Sequence, residues 1–345
     1  MKIKTVGYKG SKRKLLQMIL DYATEINAKT AFDGFSGTGI VSAYLRSNSI
    51  VTSANDLNHS SYIYGRVFLE GFNEGVVEHH LRVMNQINPT SGWLTDNYSG
   101  TVNRLVRGTG EMADRPLGLT VSNAMKIDAA RDYVASLSDI DERDRNALIF
   151  SAILGLNSVF NNPTDQKSAF KKWSKASLKD VFFVAPTLIK GPEGTQLQGD
   201  IFDIETEKVD FVYYDPPYTH GVLYGSCYHL NDSLALWDKP SVNQDYAIPR
   251  PERAVFRGKK PGSFYSKLSA PTDFRRLLGL QTAKRIVLSY SDAPRNCISI
   301  EDLTDISREF GKVTVENVHH KICTQYNSQN KISNSLKEYF IIIDT

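Results

Sequence analysis

Residues 209–218 read Val-Asp-Phe-Val-Tyr-Tyr-Asp-Pro-Pro-Tyr. The first half is an apolar, β-favouring run of the length of a buried parallel strand. Pro216 and Pro217 cannot extend a sheet ladder, so the strand is expected to end at Asp215. In an open α/β sheet, ligands sit beyond the carboxyl ends of the strands, which places Asp215, Pro216, Pro217 and Tyr218 at a cleft. Asp215 offers carboxylate oxygens, and Pro216, fixed in φ and lacking an N–H, leaves its carbonyl free to accept. Two acceptors can hold both N–H bonds of an exocyclic amine on a planar ring and leave the nitrogen lone pair directed forward. Tyr218 offers a flat face on which such a ring stacks, worth about 1–3 kcal/mol per base. An ordinary strand end followed by a rigid turn uses the same residues, so the rest of the chain must decide.

Upstream, residues 30–39 (Thr-Ala-Phe-Asp-Gly-Phe-Ser-Gly-Thr-Gly) read as a short strand entering a glycine-rich turn, with a helix beginning at Ile40. The dinucleotide fingerprint is not completed, and Asp33 stands where a pyrophosphate would be repelled. An acid beside such a turn suits a cationic or neutral ligand such as the sulfonium nucleoside S-adenosylmethionine. A second strand, Ile50 to Asp56, ends in an acid about 20 positions beyond the turn, placed to accept both hydroxyls of a ribose. The sheet resumes at Thr195 to Phe202, where Asp200 is positioned to accept from an adenine amine and Ile201 or Phe202 to pack on its ring. At the start of the chain, Gly10 and Ser11 precede a periodic helix over about 15–26, with Ser11 as an N-cap candidate. Lys12 could face an anion or a carboxylate there, and Tyr8 is equally plausible as packing.

The chain has 345 residues, 41% hydrophobic and 23% charged, with a net charge of +3. These are values of a globular protein with ample core, in which a polyanion must be met by a local patch. No apolar run reaches a membrane span of about 18 residues, and the basic N-terminus has no apolar signal core. Cys227, Cys297 and Cys323 are widely spaced, which argues for a reducing cytoplasm and against a metal site. Residues 58–195 break the βα rhythm. Helices are expected from Glu74 to Ile87 and from Glu142 to Phe160, while Ser91 to Val121 is turn-rich and irregular. Lys167, Lys171, Lys172, Lys175 and Lys179 cluster with Phe170 and Trp173, a mixture suited to nucleic acid, or else a solvated helix face. From Lys239 to Arg285, eleven Lys or Arg stand against three acids, Asp245, Glu252 and Asp273. This excess points to a polyanionic substrate. Strands over 285–291, 312–319 and 338–344 complete an α/β, doubly wound sheet of seven strands with a Rossmann-like, methyltransferase-type order, the last two antiparallel. Residues 1–57 and 196–345 would form the catalytic domain, and residues 58–195 an inserted, mainly helical target-recognition subdomain.

With these residues in view, the chain resembles the Dam-like, alpha-group DNA adenine-N6 methyltransferases. The likeness is carried in order by Tyr8-Lys9-Gly10-Ser11-Lys12, Phe32-Asp33-Gly34-Phe35-Ser36-Gly37-Thr38-Gly39, Asn55-Asp56, the insertion, Gly199-Asp200-Ile201, and Asp215-Pro216-Pro217-Tyr218. The resemblance implies that Tyr8, Lys12, Asp33, Phe35, Gly37, Asp56, Asp200 and Ile201 line S-adenosylmethionine, and that Asp215, Pro216, Pro217 and Tyr218 hold a flipped adenine. The family often has Trp where Tyr8 stands and Glu where Asp33 stands. The expected reaction is direct methyl transfer to an amine in double-stranded DNA, gripped by residues 239–285 and 58–195. No metal and no membrane are implied, the setting is the nucleoid of the cytoplasm, and a cognate restriction endonuclease would act separately. Cytosine-N4 methylation uses nearly the same chemistry. RNA adenine or protein glutamine methylation and a non-catalytic DNA-binding role remain alternatives; cytosine-C5 methylation is disfavoured, because none of the three cysteines follows a proline.

Overall fold

The computed structural model describes residues 3–8, 10–105, 111–162, 164–217, 224–254, 264, 266–293, 296–321 and 335–345. Helix α1 (Leu16–Glu25) buries Ile19, Leu20, Tyr22 and Ala23. It begins later than Ser11 would have it: Leu15 is the N-cap, without a side-chain cap, and its N–H bonds to Lys12 O at 2.8 Å. Strand β1 (Thr30–Asp33) runs through the glycine turn into α2 (Ile40–Ser47), and β2 (Val51–Asp56) leads to α3 (His59–Glu70). The chain then leaves the sheet for α4 (Glu74–Gln86), α5 (Trp93–Tyr98), the hairpin β3 (Thr101–Leu105) and β4 (Met112–Pro116), α6 (Val121–Ser136) and α7 (Glu142–Val159). It returns as β5 (Thr195–Gln198) and β6 (Phe211–Tyr214). Helices α8 (Tyr224–Cys227) and α9 (His229–Leu236), the two-residue strands β7 (Val242–Asn243) and β8 (Arg250–Pro251), and α10 (Ala270–Leu278) follow. Strand β9 (Arg285–Ser291), α11 (Ile300–Ser307), β10 (Lys312–Lys321) and β11 (Ser335–Asp344) close the fold.

The seven-stranded sheet has the order β10-β11-β9-β6-β1-β2-β5. It is parallel except for β11, which runs antiparallel to both β9 and β10. All four residues of β6 are buried between β1 and β9, as its unbroken apolar run requires. One face of the sheet carries α1, α2 and α3, and its core continues without a break into α6 and α7. Phe150 of α7 packs on Tyr64 and Phe68 of α3, at ring separations of 4.5 and 5.4 Å. The other face carries α10 and α11 over a second core of Phe32, Val212, Tyr214 and Phe274.

The stretch expected to be irregular, Ser91 to Val121, instead holds α5 and a hairpin. Asp128 of α6 accepts the Leu94 and Thr95 N–H groups and the Thr95 hydroxyl, a long-range cap for α5 that local turn residues do not announce. The lysine-rich stretch 164–181 is a loop of turns rather than a helix face. Among the described residues, no helix is long and apolar enough to cross a membrane.

Candidate active site

Three carboxylates mark the carboxyl edge of adjacent strands: Asp33 closes β1, Asp56 closes β2, and Asp215 follows β6. The glycine turn between them is tied to both neighbours. Gly34 N donates to Tyr213 O at 3.0 Å, Ser36 N to Asn55 O at 2.9 Å, and Gly37 N to Asp56 Oδ2 at 2.8 Å. Gly37 has φ +52, so the turn needs glycine for its backbone, and the Tyr8 ring lies over it at van der Waals distance. Tyr8 in turn stacks on Tyr228, with centroids 4.4 Å apart and planes inclined by 14°.

Asp33 is 1% exposed. Its Oδ2 accepts the Ser42 hydroxyl at 2.6 Å, whereas Oδ1 is buried without a hydrogen-bond partner among the described residues. Burial raises its pKa to about 7, against the opposing Ser42 hydrogen bond. Asp56 accepts from Asn58 N at 2.9 Å as well as from Gly37, and burial raises it to about 6. Asp200 lies beside this edge: Gly199 N reaches Asp56 O at 3.3 Å, Asn55 Nδ2 reaches Gly199 O at 3.1 Å, and Asp200 itself is exposed. Phe35 and Ile201 join the second core. Phe35 meets Tyr214 and Phe264 edge-on, and Ile201 lines a cavity of about 370 Å³ with Phe32, Tyr214, Leu280 and Gln281. Leu57, 66% exposed, leaves an apolar side chain bare next to Asp56.

Asp215 is joined to the N-terminal segment. Lys12 Nζ donates to Asp215 Oδ2 at 2.7 Å and to Gly10 O at 3.2 Å, and it lies 3.2 Å from Glu338 Oε1. Burial raises the Asp215 carboxyl; the Lys12 ammonium pulls it down and the Glu338 carboxylate pushes it up. Pro216 and Pro217 follow at the strand end, and Tyr218 lies outside the described residues. Two residues here, Glu338 and Tyr228, stand outside the motifs that mark the site in the sequence. Glu338 carries a weak signal, an acid directly before the apolar run Tyr-Phe-Ile-Ile-Ile; Tyr228 carries none, because its stacking on Tyr8 joins segments far apart in the chain.

The two basic regions fare differently. Within 239–285, Lys239 pairs with Asp132 (2.6 Å), Arg253 with Asp238 (2.5 Å), Arg275 with Glu309 (2.9 Å), Lys284 with Asp210 (2.8 Å), and Arg285 with Glu25 (2.7 Å) and Asp344 (2.6 Å). Lys284 and Arg285 also lie at the amino end of β9, the opposite edge of the sheet from Asp215. A count along the chain cannot see acids that folding brings from elsewhere. Arg257, Lys259 and Lys260 lie outside the described residues. By contrast, Lys171, Lys172, Lys175 and Lys179 are exposed and enter no ion pair among the described residues. Their loop is pinned from beneath. Asn161 Nδ2 donates to Phe170 O and Lys172 O, its Oδ1 accepts from Ser174 N and Ser177 Oγ, and Asn123 bonds the backbone at 177, 179 and 181. Gln166 ties the same loop to α9 through Leu230 N and Asn231 Oδ1.

A mostly parallel sheet with one antiparallel strand next to its edge has the arrangement of a methyltransferase-type fold, and its glycine turn, flanked by two carboxylates, stands beside an Asp-Pro-Pro strand end. The chain belongs to the D12 class N6 adenine-specific DNA methyltransferase family, whose model matches residues 8–250. It is 25% identical to the Type II methyltransferase M.NlaIII of Neisseria lactamica over 98% of this chain and 99% of that protein. It is 28% identical to the modification methylase StsI of Streptococcus sanguinis over 95% of this chain, and 26% identical to the modification methylase LlaI of Lactococcus lactis subsp. lactis over 97%. The chain spans about half the length of those two relatives, 50% and 54%.

Proposed function

We propose that this chain transfers a methyl group from S-adenosylmethionine to the N6 amine of an adenine in double-stranded DNA. The observation that carries this reading is the convergence of Asp215, Lys12, Asp33 and Asp56 at one sheet edge. The residues fit the nucleoside. Asp33 has a buried acceptor oxygen that takes no hydrogen bond among the described residues, suited to an ammonium; Asp56 lies beside the glycine turn, suited to ribose hydroxyls; Leu57 offers apolar surface to a base. Tyr8, Lys12, Phe35, Gly37, Asp200 and Ile201 complete the expected lining. When bound, the sulfonium supplies an electrophilic methyl.

The protein's part is to present the amine. Asp215 Oδ1, which no described donor reaches, and the Pro216 carbonyl accept the two amine hydrogens, and Tyr218 stacks on the ring. Extruding a base costs a few kcal/mol, which stacking and these hydrogen bonds offset. Most of the acceleration then comes from positioning and fixed electrostatics. Residues 58–195 would form the target-recognition part and residues 1–57 with 196–345 the catalytic part. The DNA grip falls on the exposed lysines of the 167–179 loop, together with the part of 239–285 not paired internally. The relatives' names, modification methylase and Type II methyltransferase, support a role in DNA modification; a separately acting endonuclease and a setting in the cytoplasm and on the nucleoid belong to the same reading. The test is transfer of labelled methyl to mixed-sequence duplex DNA followed by nucleoside digestion. N6-methyldeoxyadenosine is the expected product; label on cytosine N4, or none on DNA despite cofactor binding, would overturn the assignment.

A further inference from the structure

Glu338 is a carboxylate in a strand core. It is 8% exposed in β11, two positions before the fully buried Phe340. Its Oε1 accepts the Ser289 hydroxyl of β9 at 2.5 Å and lies 3.2 Å from Lys12 Nζ. The same Nζ is 2.7 Å from Asp215 Oδ2, and Lys12 is 5% exposed. One buried cation therefore serves two carboxyl groups, and the cluster holds one more acid than base. A Lys12–Asp215 pair alone would be neutral and less costly to desolvate. The second carboxylate divides the ammonium between two acceptors, so Asp215 is not wholly committed to Lys12.

We propose that Glu338 is a positioning residue for methyl transfer: it anchors Lys12 between β6 and β11 and draws part of the ammonium away from Asp215, whose Oδ1 accepts a hydrogen of the substrate amine. The proposal rests on the reading of Asp215 as the amine acceptor. The groups that face Asp215 are Lys12 from the N-terminal segment, Glu338 from β11, Tyr213 from β6 and Asp33 from β1. Of these, Glu338 holds the Asp215 carboxyl up, in opposition to Lys12.

The test is single-turnover methyl transfer across pH by Glu338→Gln and Glu338→Asp, with cofactor binding measured in parallel. Glu338→Gln keeps an acceptor for Ser289 but removes the charge, so Lys12 turns fully to Asp215. Transfer is expected to fall about tenfold or more, and the acid limb of the profile to move to lower pH, with cofactor affinity unchanged. Glu338→Asp keeps the charge but withdraws it by one methylene, and gives a smaller shift in the same direction even should the glutamine variant not fold. A wild-type rate and limb in both variants, or a loss uniform across pH with the limb unmoved, overturns the proposal. Asp215→Ala is assayed alongside: if it retains substantial turnover, the reading of the site has failed rather than the role of Glu338.

Discussion

Asp33, buried, and Asp215, half-buried, are neighbouring carboxylates with different company. Asp215 has Lys12 at 2.7 Å on Oδ2, and no described donor reaches its Oδ1. Asp215→Ala is expected to abolish methyl transfer while cofactor binding persists, checked by turnover on duplex DNA and by a binding titration. Asp33 has the Ser42 hydroxyl on Oδ2 and an Oδ1 that takes no hydrogen bond among the described residues, and its pKa of about 7 reflects burial. Its ordinary value is about 3.9, so the folded state favours its protonated form. The share of ligand-free stability that comes from Asp33 is present below about pH 4 and is lost as pH rises through about 7. Asp33 is expected to ionise when the cationic nucleoside binds. Calorimetry near pH 7 in buffers of different ionisation enthalpy should therefore register proton release, and affinity should weaken as pH falls below that value. Binding without proton release would contradict an Asp33 contact to the positive charge.

At the scale of elements, the loop over 161–181 is held to the helical layer by asparagine side chains instead of by secondary structure of its own. Its exposed lysines offer point charges at fixed spacing, which suits phosphates. Replacing Lys171, Lys172, Lys175 and Lys179 together by Ala is expected to weaken DNA binding and to flatten its salt dependence, by up to about 0.9 in log–log slope for each phosphate these lysines neutralise. Cofactor binding should not change. A salt slope equal to that of the unaltered protein would remove this loop from the interface. Asn161→Ala should also weaken DNA binding, through disorder of the loop, at constant charge. Helix α9 links this loop to α7: Gln166 bonds Leu230 N, and Asn231 accepts from both Gln166 and Asn157 of α7. His229, buried on the same helix with its pKa pushed down to about 3 by burial, stays neutral and contacts Gln166 O at 3.2 Å.

For the whole molecule, the continuity of the core between the sheet layer and α6 and α7 carries a consequence for unfolding. Phe150 is fully buried between Tyr64 and Phe68. Phe150→Ala is expected to cost about 3–5 kcal/mol and to lower one common transition, followed alike by helical circular dichroism and tryptophan fluorescence. Two separated transitions would show that the inserted helices melt on their own.

Much of this molecule was legible along the chain. The four-residue apolar run of β6, stopped by two prolines, decided both the fold and the place of Asp215, because a strand buried on both faces has a composition no loop shares. Asp33, Gly37 and Asp56 could be placed for the same reason: glycine turns and strand-end acids are local chemistry. Other features were decided by contacts between residues far apart in sequence. The cap that Asp128 places on α5, the stacking of Tyr8 on Tyr228, the acids that neutralise Lys239, Lys284 and Arg285, and the sharing of Lys12 between Asp215 and Glu338 all depend on which segments the sheet and its helical layer bring together. Periodicity and turn chemistry are properties of neighbours along the chain, whereas the charge state and partners of a buried side chain are properties of neighbours in space.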